Sequence, residues 1–314
     1  MPLDHYVSQV HLKKFYSPEL GPLMYAIRKS NQEMFTPNSQ SVCRIEDGST
    51  NTYLQDERII EEFLKGVEPK YDSCVNKILE GNFDAECIYV VAGFVSYVIT
   101  CSPTAMRLDS EPLRWMVEET SRQLDRYEQL PPPPPELGGD SLTDLLEKGK
   151  VAIDIDGKYP QAIGISSILS NVTAFGNSDW EVLINPFEDN PFFSSDFPVA
   201  IEKTSGSTIL NRLIPLTPYL AIRIKPRIRL DLANPEYKFT NFTYKQKRLS
   251  RFAVNNLNRL FVRCAESIVF FSKLGDWVPR FVNQNSRFRI ETTNVSPHGN
   301  GAPCFALDVV KVEL

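Results

Sequence analysis

The sequence predicts an α+β fold, a helix-rich N-terminal half packed on a mainly antiparallel sheet from the C-terminal half. Three observations carry this. Apolar residues recur at helical spacing from about Asp56 to Gln129. An unbroken proline run, Pro131 to Pro135, separates that stretch from the rest. Beyond Trp180, apolar residues alternate with polar ones, as in half-buried strands. The expected layout is helix-rich 1–130, a proline loop 131–137 and strand-rich 138–314.

Along the chain, Val10 to Phe15 is a short amphipathic stretch, and Met24–Ile27 and Val42–Ile45 are candidate strands before an Asp47-Gly48-Ser49 turn. Ile59, Ile60, Phe63 and Leu64 share one helical face. Pro69 suits the first position of a second helix carrying Tyr71, Cys74, Val75, Ile78 and Leu79, with Gly81 as its C-terminal cap. The uncharged run Cys87–Cys101 reads as a buried helix stopped by Ser102-Pro103. Ser110 is the expected N-cap of a fourth helix to Gln129, with Leu113, Met116, Val117, Leu124 and Tyr127 inward. The prolines require extended backbone, expected as a surface loop or spacer, with a docking segment for an aromatic-lined groove as the alternative. Ser141-x-x-Asp144 resembles a capping box, Val151, Ile153 and Ile155 alternate as a strand, and Tyr159 to Val172 is helical. Trp180–Ile184, the interrupted region Phe192–Ile201, Leu220–Leu230 and Ile268–Phe271 are strands, and Lys247–Ala265 is the last long helix.

Charge is divided unevenly. Residues 1–200 carry 31 acidic and 16 basic side chains, whereas residues 201–314 carry 8 and 18, so a net charge of −5 conceals a cationic C-terminal third. Such a third suits an anionic partner, or neutralisation by the rest of the fold. The start lacks a basic segment followed by an apolar one, so no secretory signal is expected. The uncharged run Cys87–Cys101 is shorter than the ~20 residues that span a bilayer, so no membrane contact and a cytoplasmic location are expected. The six cysteines match no zinc spacing and read as reduced, mostly buried thiols.

The sharpest pattern is Leu220–Leu230. Ile222, Ile224, Ile228 and Leu230 alternate with Arg223, Lys225, Arg227 and Arg229, so a strand would line one face with cations about every 7 Å. Pro226 suggests an edge strand or a bulge. Arg251, Asn255, Arg259 and Arg263 form a stripe on the late helix, and a cleft shared by strand and stripe would hold phosphate. Phe239, Phe242 and Tyr244 suit stacked bases or a core. No Gly-rich phosphate loop, His-Glu-x-x-His or Gly-x-Ser-x-Gly motif occurs, which disfavours Walker-type and serine hydrolase chemistry. His5, beside Asp4 and Tyr6, is a candidate general base or metal ligand. Asp196, set among Phe192, Phe193, Phe197 and Pro198, is a second candidate, against the alternative that Asp196 or Ser195 bonds backbone amides in a turn.

His5-Tyr6-Val7-Ser8-Gln9-Val10-His11-Leu12-Lys13-Lys14-Phe15 resembles the opening His-Tyr-Val-Pro-Gln-x-Tyr-Leu-Arg-x-Phe of a mainly bacterial domain family of unknown function. Trp180 with Phe193-Ser194-Ser195-Asp196-Phe197-Pro198-Val199 is similar to that family's Trp…Phe-x-Thr-Ser-Asp-x-Pro-Val. Leu257-Asn258, Ala265 and Phe271-Ser272 resemble its closing segment, and Ser102-Pro103 with Arg107 its mid-chain Arg-Thr-Pro-x-x-Arg. Ser8, His11 and Cys101 depart from the pattern. The resemblance implies one domain over 1–314, an intracellular protein, and His5, Ser195, Asp196 and Asn258 as shared-site candidates.

The resulting expectation is a phosphate- or nucleic-acid-directed hydrolase of phosphodiester bonds. His5 and Asp196 would be catalytic and could hold a divalent metal, Asn258 would position substrate, and Arg223, Arg227, Arg229, Arg259 and Ser195 would bind it. On that reading, His5→Ala and Asp196→Ala abolish turnover with little change in melting temperature. The alternative is a non-catalytic binding or scaffold protein whose basic C-terminal surface docks an anionic ligand or nucleic acid. A third reading has the basic third neutralised by the acidic N-terminal region.

Overall fold

The computed structural model describes residues 3–131, 133, 135–204, 209–227, 238–295 and 304–312. Its centre is a helix. The run Ala85–Cys101 (α3) is buried almost all round, because it carries no charge after Glu86 and so has no face that demands water. The Asp84 side chain accepts from the Cys87 amide at its start, and Ser102 ends it and caps the next helix through the Ala105 amide.

Before α3 come strands Leu3–His5 (β1), Tyr25–Arg28 (β2), Met34–Phe35 (β3) and Arg44–Glu46 (β4), and helices Gln9–Leu12 (α1) and Ile59–Leu79 (α2). After it follow helices Pro103–Arg126 (α4), Leu142–Glu147 (α5), Lys158–Ser166 (α6) and Ile168–Gly176 (α7). Helices α2, α4, α6 and α7 pack around α3. The strand-rich part holds Asp179–Ile184 (β5), Ser194–Ser195 (β6), Ala200–Lys203 (β7), Leu210–Thr217 (β8), Leu220–Lys225 (β9) and Thr243–Arg248 (β10). Helix Arg251–Cys264 (α8), strand Ile268–Phe271 (β11), helix Trp277–Asn285 (α9) and strands Phe288–Asn294 (β12) and Phe305–Lys311 (β13) complete the described residues.

Five strands form one sheet in the order β10-β5-β9-β8-β7, antiparallel except for the parallel pair β10–β5. A second sheet, β3-β2-β11-β6, joins the first fifty residues to the C-terminal half. The pairs β1–β4 and β12–β13 stand apart. The fold is therefore α+β and mostly antiparallel, with N-terminal strands woven into a sheet that the sequence pattern assigned to the C-terminal half.

Several expected boundaries move. The two helices divided at Pro69 are one, α2, with Pro69 inside it. The fourth helix begins at Pro103 with Ser102 as its cap, and Ser110, the expected cap, lies within it and donates to the Met106 carbonyl. Met116, Val117 and Tyr127 are exposed, because α4 extends past the body it packs on. Residues 151–155 form no strand, and the expected helix from Tyr159 breaks at Ser167 into α6 and α7. The late helix starts at Arg251, since 243–248 instead pair with β5. Strand β9 is central, and Pro226 sits just past its end, where a missing amide removes no ladder bond. Pro132, Pro134 and residues 228–230 lie outside the described residues. The capping box at Ser141 and Asp144 is present.

No single helix among the described residues is long and apolar enough to cross a membrane, and α3 with α4 passes that test only as a pair bent by 58°.

Helices α2 and α3 approach closely at Gly93, where an added Cβ would stand 2.9 Å from Val67 Cγ2 and 3.3 Å from Phe63 Cζ. Val67 is buried and stiff at its branched Cβ, so the contact cannot relax cheaply. Gly93→Ala is expected to destabilise the protein by about 1–3 kcal/mol, read as a lower urea midpoint at unchanged slope. An unchanged midpoint would contradict this account of the α2–α3 contact.

Candidate functional site

Of the family-like residues, Ser195, Asp196 and Asn258 gather on the segment 191–198. Asp196 is buried, and its carboxylate accepts three backbone amides of the α8–β11 turn: Glu266 (3.0 Å), Ser267 (2.8 Å) and Ile268 (3.1 Å). Its own amide donates to the Ile268 carbonyl. Burial pushes the carboxyl up to about 7, against the Ser267 amide and the Lys29 charge, which favour the anion. Lys29 approaches the same turn from β2's end. Its ammonium donates to the Ala265 (2.5 Å) and Phe288 (2.6 Å) carbonyls, and burial lowers its pKa to about 8. Arg107 of α4 grips the Glu266 carboxylate with two nitrogens (3.1 and 2.8 Å) and reaches Glu291 at 2.5 Å.

The rest of the segment is held in the same way. Asn258, fully buried on α8, accepts the Phe193 amide (3.0 Å) and donates to the Pro191 carbonyl (2.9 Å). Ser195 Oγ accepts the Phe197 amide at 3.2 Å. Ser194 Oγ meets His11 Nε2 at 2.9 Å, while His11 Nδ1 meets Tyr71 Oη at 2.9 Å and the imidazole stacks on Phe94. These polar groups are buried and hydrogen-bonded to protein atoms, so their geometry closes a core.

His5 points elsewhere. Its Nε2 contacts the Ser39 carbonyl at 3.0 Å, and it lines a cavity of about 480 Å³ with Asp4, Gln9, Glu61, Lys65 and Glu68. Tyr6, its neighbour, has its phenol pKa raised by burial and, with Cys43, by the nearby Asp196, so the opening segment does run past Asp196. Asp196, Ser195 and Asn258 nonetheless line neither this cavity nor the others described here. Among the described residues, no three His, Cys, Asp or Glu side chains gather as a metal-binding set, and His5 and Asp196 bond to different backbone groups.

The cationic strand lies on one face of the five-stranded sheet, as its alternation predicts, with Ile222 and Ile224 fully buried on the other. Register sets Lys245, Glu181, Arg223 and Leu213 in one cross-strand row. Arg223 reaches Glu181 (2.6 Å) and Glu202 (2.8 Å), and Arg227 pairs with Asp179. Lys225 (2.7 Å) and Lys247 (2.9 Å) converge on the same Glu181 oxygen, with Lys245 at 3.8 Å. Burial opposes the charge on Glu181, but hydrogen bonds from Lys225, Lys247 and Arg223 outweigh it and hold the carboxyl at about 2. Carboxylates from both parts of the chain, Asp179 and Glu181 from the acidic part and Glu202 from the cationic third, thus neutralise much of this strand. Arg229 lies outside the described residues.

The helix stripe is separate. Cys264 of α8 lies beside Arg212, which registers with Ile224 on the face away from Arg223, so strand and stripe share no cleft. Arg251 binds Asp189 through two nitrogens at 2.9 Å, Arg263 binds Asn285, and exposed Arg259 contacts Asn256 at 3.2 Å. Phe242 and Tyr244 pack on Phe83, and Phe239 is buried, so these aromatics belong to the core and its margin.

Sequence reasoning passed over His11, Tyr71, Lys29 and Glu181 as site residues. For His11 a signal existed: Val7, His11 and Phe15 recur every four residues, which places the imidazole on the buried side of the opening turn.

His11 also sets a pH dependence. Burial lowers its pKa from 6.5 to about 3, so between those values the unfolded chain binds more protons than the fold. The stability due to neutral His11 is complete above pH 6.5 and is lost as pH falls toward 3. At about 1.4 kcal/mol per pH unit, the loss at pH 5 is about 2 kcal/mol. The stability advantage of the wild type over His11→Gln is expected to shrink by that amount between pH 7 and pH 5 in urea unfolding. A pH-independent difference would contradict a neutral buried imidazole.

No curated protein and no solved structure matches the chain. Residues 4–274, spanning every residue of the Asp196 cluster apart from the β12 contacts, match the family described as Protein of unknown function (DUF4238), and the chain belongs to that family.

Proposed function

We propose that the chain is a non-catalytic binding protein that docks the phosphate backbone of a nucleic acid along the exposed β10 edge of its five-stranded sheet. The observation that carries this is the convergence of Lys225, Lys245 and Lys247 on the single carboxylate of Glu181. With Arg223 and Arg227, five cations face three carboxylates, Asp179, Glu181 and Glu202. The carboxylates fix the positions of the cations, and the surplus charge sits on the solvent side. Lys245 is 65% exposed, and β10 is exposed along its whole length. Edge lysines also prevent strand-to-strand aggregation, but that task does not require three of them around one buried acid. Since Tyr244 lies on the side of β10 opposite Lys245 and Lys247 and packs on Phe83, the contact would be to phosphates rather than to stacked bases, giving affinity with little sequence preference.

The phosphodiesterase reading has less support. It needs His5, Asp196 and Asn258 around one substrate, and two of these are buried with their polar atoms bonded to backbone.

Fluorescence anisotropy with single- and double-stranded oligonucleotides tests the proposal. Binding is expected to weaken steeply with salt, to be lost in Lys245→Glu/Lys247→Glu, and to persist in His5→Ala. Absence of binding at low salt, or equal binding by the charge-reversed variant, would overturn it.

A further inference from the structure

We infer that a second, separate site binds a small phosphorylated molecule, in the cavity between the β2–β3 turn, the end of α9 and the outer ends of β12 and β13. The cavity measures about 560 Å³ and is lined by Lys29, Gln32, Asn283, Ser286, Arg287 and Lys311, among others, with no carboxylate among the described residues of its wall. On the sheet and at the Asp196 turn, by contrast, Arg107, Arg223 and Arg227 each meet an acid, as does Arg251 of the helix stripe, whereas Arg259 and Arg263 contact Asn256 and Asn285. The Arg287 guanidinium and Lys311 ammonium meet no acid among the described residues, and neither side chain has any other hydrogen-bonding partner there. The nearest acid of the β2–β3 turn, Glu33, is bound to Arg28 at 3.2 Å.

Uncompensated cations around one concavity repel each other unless an anion joins them. Lys29 lies in the same wall, but its buried ammonium is held by two carbonyls and faces the charges of Asp196 and Glu266, so the uncompensated cations are Arg287 and Lys311. The wall is also rigid where it bends. Gln32 has φ +60 and is held by its amide on the Arg28 carbonyl (3.0 Å) and by its side chain on the Lys29 carbonyl (2.8 Å). The exposed Asn283 amide and Ser30 hydroxyl add polar groups with no protein partner among the described residues.

Chemistry narrows the ligand. Arginine grips a phosphate through two parallel nitrogens, and lysine adds a point charge. A bare phosphate would leave most of this volume empty, and pockets of roughly 300–1,000 Å³ hold whole small molecules. A phosphomonoester with a polar body of nucleotide or sugar size fits both the charge and the space. Asn283, Ser286, Arg287 and Lys311 lie beyond the family match, so the site belongs to this chain's C-terminal residues as much as to the family domain.

Titration calorimetry of the full chain with AMP, glucose 6-phosphate, adenosine, glucose and inorganic phosphate tests this. The two phosphomonoesters are expected to bind saturably and their phosphate-free counterparts not at all. Arg287→Ala/Lys311→Ala is expected to weaken binding about tenfold or more at an unchanged melting temperature, because both side chains are exposed. Lys245→Glu/Lys247→Glu is expected to leave it intact, which separates this site from the sheet face. Failure of both phosphomonoesters to bind, equal binding by the double variant, or equal affinity for inorganic phosphate would overturn the inference.

Discussion

A buried carboxylate must be answered by donors, and in this fold the answer given to Asp196 fixes the turn between α8 and β11. Three consecutive amides, Glu266 to Ile268, point at one side chain some seventy residues away in sequence. Left without it, those amides would cost about 1–3 kcal/mol each, because the turn has few other acceptors to offer them. The turn in turn orients the Glu266 carboxylate for Arg107 and the Ala265 carbonyl for Lys29. Through these contacts the helical body, the β2 hairpin and the C-terminal hairpin all depend on one aspartate.

The same logic runs through the neighbouring positions. Asn258 satisfies one amide and one carbonyl of the chain that leads to Asp196, and His11 satisfies Ser194 beside it. Residue types familiar from catalytic sites here close a core where secondary structure cannot satisfy the backbone. The motif 193–198 is apolar with polar insertions because a two-residue strand, β6, leaves backbone groups on both sides without ladder partners. Charge follows a comparable rule on the five-stranded sheet, where Glu181 gathers cations that would otherwise repel each other. The C-terminal cavity departs from it, and this departure gives that cavity its interest.

Periodicity made much of the fold legible. The buried helix α3, the Ser141 cap, the strand Trp180–Ile184 and the alternation of β9 follow from residue spacing alone. Where spacing failed, a tertiary contact had overridden a local signal. Pro69 remains inside α2 because the helix is held by packing on α3, and Met116 and Val117 read as core although α4 outruns its support. The site residues were recognisable as a group but not by role. Asp196 as an amide acceptor was foreseeable, whereas the identity of its donors, seventy residues on, was not. Glu181 was invisible because its meaning comes from register with Arg223 and Lys245, which no local pattern encodes.

The central claim is that Asp196 holds the fold together. The direct test is the thermal unfolding of Asp196→Ala, with amide exchange at Glu266, Ser267 and Ile268. Loss of the acceptor is expected to destabilise the protein by about 3–5 kcal/mol, a drop on the order of 10 °C in Tm, with those three amides losing protection first. A melting temperature equal to that of the wild type, with protection at 266–268 intact, would contradict it.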